Sequence, residues 1–167
     1  MNIVLIGMPG AGKSTVGPAL ADKFVMGFAD TDTLLREKAG RELRDIVAED
    51  GYEAFLMQQE ELILSMEPEN MVIATGGSVV CSAPSMLHMK EDGRAVYLKQ
   101  SLEEIEKRLS PERRLARSKD RSLEQVYSER SPLYEKYADM IIECDNKSVD
   151  EIVLEIVKAF QIQNPEG

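Results

Sequence analysis

The chain has 167 residues, enough for one domain with a three-layer core. Its 20 lysines and arginines against 30 acidic residues leave a formal charge of −10, which repels nucleic acid and points to a small-molecule partner. Cys81 and Cys144 are too few and too far apart for a disulfide framework or a metal cluster. With no basic leader and no 18-residue apolar run, the composition predicts a cytoplasmic protein that has reduced thiols and stays off membranes.

The apolar run Ile3-Val4-Leu5-Ile6 predicts a first strand over 2–6, followed at once by Gly7-Met8-Pro9-Gly10-Ala11-Gly12-Lys13-Ser14-Thr15. This stretch matches G-x-x-x-x-G-K-[ST] at every fixed position, in the strand-loop-helix setting that gives the motif its meaning. Its glycines let the backbone curl around an anion. The N–H groups of the loop and of the next helix start then converge on phosphate oxygens, aided by the helix dipole. Lys13 supplies a mobile positive charge for the β- and γ-phosphates, and the Ser14 hydroxyl is placed to ligate magnesium.

A helix is predicted over 13–23, with Val16, Leu20 and Phe24 at helical spacing. A short strand over 24–29 then ends in Asp30-Thr31-Asp32, acids at the strand end where open α/β sheets bind ligands. On an extended strand end, two acids two residues apart face the same side. Helices follow over 33–39, 41–49 and 53–65, separated by Gly40 and Asp50-Gly51. Met71-Val72-Ile73-Ala74 reads as a buried strand leading into Thr75-Gly76-Gly77-Ser78. A helix over 83–89 starts at Ser82 with Pro84 in its first turn, and Ala95-Val96-Tyr97-Leu98 is the fourth strand. Ser101 and Glu104 predict a capping box for a helix over 102–109.

Residues 110–121 carry Pro111, Arg113, Arg114, Arg117, Lys119 and Arg121 with few apolar anchors, which predicts a mobile basic lid that closes over phosphates. Pro132 predicts a kink, or two helices, within 122–137. A fifth strand over 140–142, a closing amphipathic helix over 149–160 and a frayed tail over 161–167 complete the chain. The sole histidine, His88, reads as a surface residue. Alternating strands and helices predict a parallel sheet covered on both faces.

In this order, the motifs resemble those of the shikimate kinase family, small P-loop proteins of the nucleoside-monophosphate-kinase-like group. The landmarks are the loop from Gly7 to Thr15, then Phe28-Ala29-Asp30-Thr31-Asp32, Thr75-Gly76-Gly77, the Arg-rich segment and Arg130-Ser131-Pro132-Leu133-Tyr134. The resemblance implies a three-layer α/β/α P-loop kinase fold with a central five-stranded parallel sheet. It also implies a monomer of one domain over 1–167, with acceptor-binding helices over about 33–65. ATP and Mg2+ are the implied cofactors and a hydroxylated metabolite, foremost shikimate, the implied acceptor. Gly10, Ala11, Gly12, Lys13, Ser14 and Thr15 resemble the nucleotide loop, and Arg108 the residue that lies against adenine. Asp30, with Ser14, resembles the magnesium site. Asp32 resembles the group that meets the acceptor hydroxyls and takes the proton of the attacking one. Gly76, Gly77 and Arg130 resemble acceptor contacts, Arg130 gripping the carboxylate through its planar fork. Arg113 resembles the lid arginine on the transferring phosphate, a part that Arg114 or Arg117 could also take.

Three departures bear on the acceptor. Where the family reads Phe-Arg-x-x-Glu, its arginine a second carboxylate clamp, this chain has Phe55-Leu56-Met57-Gln58-Gln59, and Ser78 replaces the family's third glycine. Loss of such an arginine costs about 1.5–3 kcal/mol of binding. Either the pocket is rebuilt, or Arg44 or another basic residue substitutes, or the register of this segment is shifted. A kinase of the same scaffold with another acceptor, gluconate-like or nucleoside, is the alternative reading. A nucleotide-binding switch that transfers nothing is the third.

Overall fold

The computed structural model describes residues 1–109 and 121–163. The predicted lid residues Arg113, Arg114, Arg117 and Lys119 lie outside the described residues, as does the tail from 164. Five strands, β1 (Asn2–Ile6), β2 (Gly27–Asp30), β3 (Met71–Ala74), β4 (Gly93–Lys99) and β5 (Met140–Glu143), form one sheet in the order β2-β3-β1-β4-β5. Every neighbouring pair is parallel, because each strand is followed by a helical return across the sheet.

The helices are α1 (Lys13–Phe24), α2 (Thr31–Ala39), α3 (Leu43–Asp50), α4 (Tyr52–Ser65), α5 (Ala83–Lys90), α6 (Leu102–Arg108), α7 (Leu123–Tyr137) and α8 (Val149–Gln163). They bury both faces of the sheet, so β1 is apolar at successive positions rather than alternating. Ile3 and Leu5 join Val16 and Leu20 of α1 and Ile156 and Phe160 of α8 in one layer. Val4 and Ile6 join Met86 and Met89 of α5 and Val126 and Tyr134 of α7 in the other. A third, smaller core unites Leu35 of α2, Ile46 of α3 and Phe55 and Leu62 of α4. Central β1 pairs Leu5 with Ala74 of β3 and with Val96 of β4. The chain therefore leaves β1 at the point where the strand order reverses, and the crevice at such a switch point takes ligands.

Several local expectations are corrected. Phe24 belongs to α1, which Val25 ends in the left-handed conformation (φ 55°), so β2 begins only at Gly27. Arg41 precedes α3 and pairs with Glu49 and Asp50 instead. Asp32 is not on an extended strand end. It sits in the first turn of α2, for which Asp30 is the N-cap. Of the capping box predicted at Ser101, only the Ser101 side-chain half is present, because the Ser101 N–H donates to Asp145 at 3.0 Å. The complete box lies at Ser122 and Gln125, opening α7. Pro132 does not divide α7, which runs unbroken through it. Residues 161–163 continue α8, and Val79–Cys81 form a 3-10 turn that periodicity did not indicate.

Candidate active site

The loop after β1 turns on Gly10 and Gly12, at φ 85° and 98°, values that side chains strain to adopt. Gly12 is thereby the N-cap of α1. The Lys13 ammonium is buried and donates to the Gly7 and Met8 carbonyls at 2.5 and 2.8 Å. Burial lowers its pKa to about 8, with Asp32 and Asp30 pulling upward and Arg130 pushing further down. Arg108 flanks this loop: a methyl built on Gly12 would lie 3.9 Å from its Nη1.

Asp30 divides its two oxygens. Oδ1 accepts from the Asp32 and Thr33 N–H groups at 2.9 and 3.3 Å, starting α2, while Oδ2 accepts from the Ser14 hydroxyl at 2.8 Å. Ser14 and Asp30 are hard oxygen donors, and magnesium takes one or two of these beside phosphate and water oxygens. The donor set therefore fits that ion. Asp32, one turn into α2, is held against the Gly-Gly loop. Burial first and then Asp30 push its carboxyl above the usual range, against the pull of Lys13, Arg36 and Arg130.

The Gly-Gly loop leaves β3 with Thr75 Oγ1 donating to the Leu5 carbonyl and the Gly76 N–H donating to Thr31 Oγ1, at 2.8 and 2.9 Å. Gly77 is a close approach: a methyl there would meet Pro9 Cδ at 2.6 Å and Arg130 Nη1 at 3.1 Å. Its carbonyl accepts from the Tyr134 hydroxyl at 2.6 Å, which locks the loop to α7. Arg130, on the same helix, is only 5% exposed. It donates to the Tyr52 hydroxyl at 3.2 Å, and among the described residues no carboxylate lies within ion-pair distance of it. Ser78 and Gln59, both buried, satisfy each other, the hydroxyl donating to Gln59 Oε1 at 2.9 Å.

These walls enclose an open cavity of about 830 Å³. Of the residues singled out in the sequence, Gly10, Gly12, Lys13, Ser14, Thr15, Asp30, Asp32, Gly77, Arg108 and Arg130 line it. Ala11 and Gly76 are not among the lining residues; Ala11 is buried, and its carbonyl accepts from Gln100 at 3.3 Å. Arg113 is outside the described residues. Leu56 is not a wall of the cavity either. It packs against the small third core together with Leu34, Leu43 and Val47. Residues that the sequence reading did not place at the site also line it, namely Thr33, Arg36, Glu42 and Leu43, and so does Arg44, which it did raise. The signal for Arg36 was its spacing, four residues after Asp32 on a helix.

The family model described as shikimate kinase matches residues 9–161. A shikimate kinase of Francisella tularensis subsp. novicida is 36% identical over 161 residues, covering 93% of this chain and 92% of the relative. The Enterococcus faecalis enzyme of the same name is 35% identical over 165 residues, with 96% and 98% covered. The solved structure of the Acinetobacter baumannii shikimate kinase in complex with shikimate superposes with a TM-score of 0.87 at 27% identity, covering 99% of this chain and 95% of the other. The Aquifex aeolicus shikimate kinase gives 0.83 at 28% identity, with all of both chains covered.

Proposed function

Because the chain belongs to the shikimate kinase family, we propose that it transfers the γ-phosphoryl group of ATP to a hydroxyl of shikimate, giving shikimate 3-phosphate and ADP. The observation that carries this reading is the shared cavity: it is lined by a phosphate-gripping loop with Lys13, by the Asp32 carboxylate and by the buried Arg130 guanidinium, which among the described residues has no carboxylate partner. The loop N–H groups and Lys13 hold the β- and γ-phosphates, and Arg108 borders the base. Ser14 and Asp30 would hold magnesium, which when bound neutralises charge between the β- and γ-phosphates.

Arg130 fixes the acceptor through its carboxylate, and Asp32 orients the attacking hydroxyl. As the new P–O bond forms, the hydroxyl proton passes to Asp32 and the bond to the β-phosphate oxygen breaks. A carboxyl whose pKa is raised by burial is better suited to take that proton than an exposed one. Arg113, assigned on sequence grounds alone, serves the charge on the transferring group. The acceptor carries one negative group, which suits the buried Arg130 guanidinium, and the Asp32 carboxylate repels acceptors that are already phosphorylated.

The test is Asp32→Asn, assayed by ADP release with shikimate and by calorimetry with ATP. Turnover is expected to fall by about 10²–10⁴-fold while ATP affinity is kept. A variant that turns over shikimate like the parent would refute the role of Asp32. A parent that ignores shikimate but phosphorylates another polyol would refute the acceptor.

A further inference from the structure

The geometry points to Arg36 as a second guanidinium that grips the acceptor's carboxylate together with Arg130, so that specificity for a carboxylated acceptor comes from α2 rather than α4. The inference rests on the proposed reaction. Residue 56 cannot supply such a contact, since Leu56 is turned into the small core shared by α2, α3 and α4. Ser78, which lines the cavity, is neutral and spends its hydroxyl on buried Gln59 behind it. Outside the phosphate loop and Arg108, the charged residues that line the cavity are Asp30, Asp32, Glu42 and the cations Arg36, Arg44 and Arg130.

Arg36 follows Asp32 by one helical turn and so shares its face of α2. Its charge and that of Arg130 both act on the Asp32 carboxylate, and Arg44 is not among the groups that do. Arg36 is also weakly held. Its Nη2 reaches Thr33 Oγ1 at 3.4 Å, and its Nη1 lies 3.7 Å from Glu42, with the side chain 44% exposed. Arg41, nearby in the chain, is engaged by Asp50 at 2.6 Å and Glu49 at 2.9 Å. A guanidinium with most of its five donors uncommitted can turn to a carboxylate without breaking a strong contact. An acceptor that offers a hydroxyl to Asp32 and a carboxylate to two arginines matches this arrangement of charge.

The experiment compares the parent protein with Arg36→Met and Arg36→Lys, using shikimate and its methyl ester, which lacks the charge. Arg36→Met is expected to raise KM for shikimate about 10- to 100-fold. KM for ATP should stay within about twofold, and affinity for the ester, read as competitive inhibition, should be unchanged. Lysine should restore only part of the loss, since it is a point charge rather than a fork. The inference is overturned if Arg36→Met leaves KM for shikimate unchanged while Arg130→Met raises it, or if acid and ester lose affinity equally. A parent without shikimate turnover would instead remove the proposed reaction, and this inference with it.

Discussion

Replacing Gly77 with alanine measures how closely the loop after β3 is wedged between the phosphate loop and Arg130. Gly77 is not among the glycines with positive φ, so the added methyl brings a contact penalty and no backbone strain. That methyl would lie 2.6 Å from Pro9 Cδ, 2.8 Å from Pro9 Cγ and 3.1 Å from Arg130 Nη1. Ordinary contact begins near 3.4 Å, so Pro9 or the Gly-Gly loop must yield by about 0.8 Å. Pro9 is a ring within a tight loop, and the Gly77 carbonyl is fixed by Tyr134, so neither gives way freely. Overpacking of this kind costs about 1–3 kcal/mol, and in a chain of this length about 2 kcal/mol lowers Tm by about 4–8 °C. On the proposed reading, the displaced groups belong to the nucleotide side and the acceptor side at once. A misplacement approaching 1 Å there is expected to lower kcat/KM by about 10²-fold. Differential scanning calorimetry and a coupled ADP assay would read both effects. Gly77→Ala that melts within 1 °C of the parent and keeps kcat/KM within about twofold would refute the wedge.

Two further outcomes follow from the site's electrostatics. Since burial lowers the Lys13 pKa to about 8, and a bound polyphosphate favours its charged form, ATP binding at pH 8.5 should take up protons. Calorimetry in buffers of different ionisation enthalpy would detect the uptake, and identical heats would refute it. The sign for stability is opposite to that of an ordinary ion pair: between pH 8 and 10.5 the unfolded chain holds the Lys13 proton that the native one has released. This group alone therefore makes stability rise with pH across that window. Asp30→Ala should lose about 1 kcal/mol through the missing cap of α2, whereas Asp30→Asn keeps the cap and loses only the charge. Both should raise the magnesium concentration needed for half-maximal activity. Equal melting temperatures for the two variants would argue against the cap.

Local motifs were readable in the sequence wherever local forces decide the outcome. The loop from Gly7 to Thr15 declares itself because its glycines and Lys13 have few substitutes, and β1 and β3 announce themselves by unbroken apolar runs. The parallel sheet followed from alternation alone. The errors lie where a tertiary partner competes with a local one. Ser101-x-x-Glu104 and Ser122-x-x-Gln125 are spelled alike, yet Asp145, 44 residues away, takes the Ser101 N–H and leaves only the second box complete. Asp32 looked like the end of a strand because a hydrogen bond from its own N–H to Asp30, not its side-chain character, starts the helix. Arg36 reaches the cavity, and Tyr52 reaches Arg130, only through the packing of α2 and α4, which no short window contains. The leucine at 56 was conspicuous as an exception, but where it turned instead could not be read from its neighbours.

The interior is partitioned unevenly. Two large apolar layers brace the sheet, while α2, α3 and α4 close around a small nucleus of their own centred on Leu35, Ile46, Phe55 and Leu62. Cooperative breathing follows such partitions, because a segment that carries its own nucleus can loosen without exposing the rest. On the proposed reading, the acceptor's side of the cleft is thus built as a detachable hand, and the phosphate side as part of the frame. Sequence drift in that small nucleus can retune how the hand closes while the sheet stays as it is.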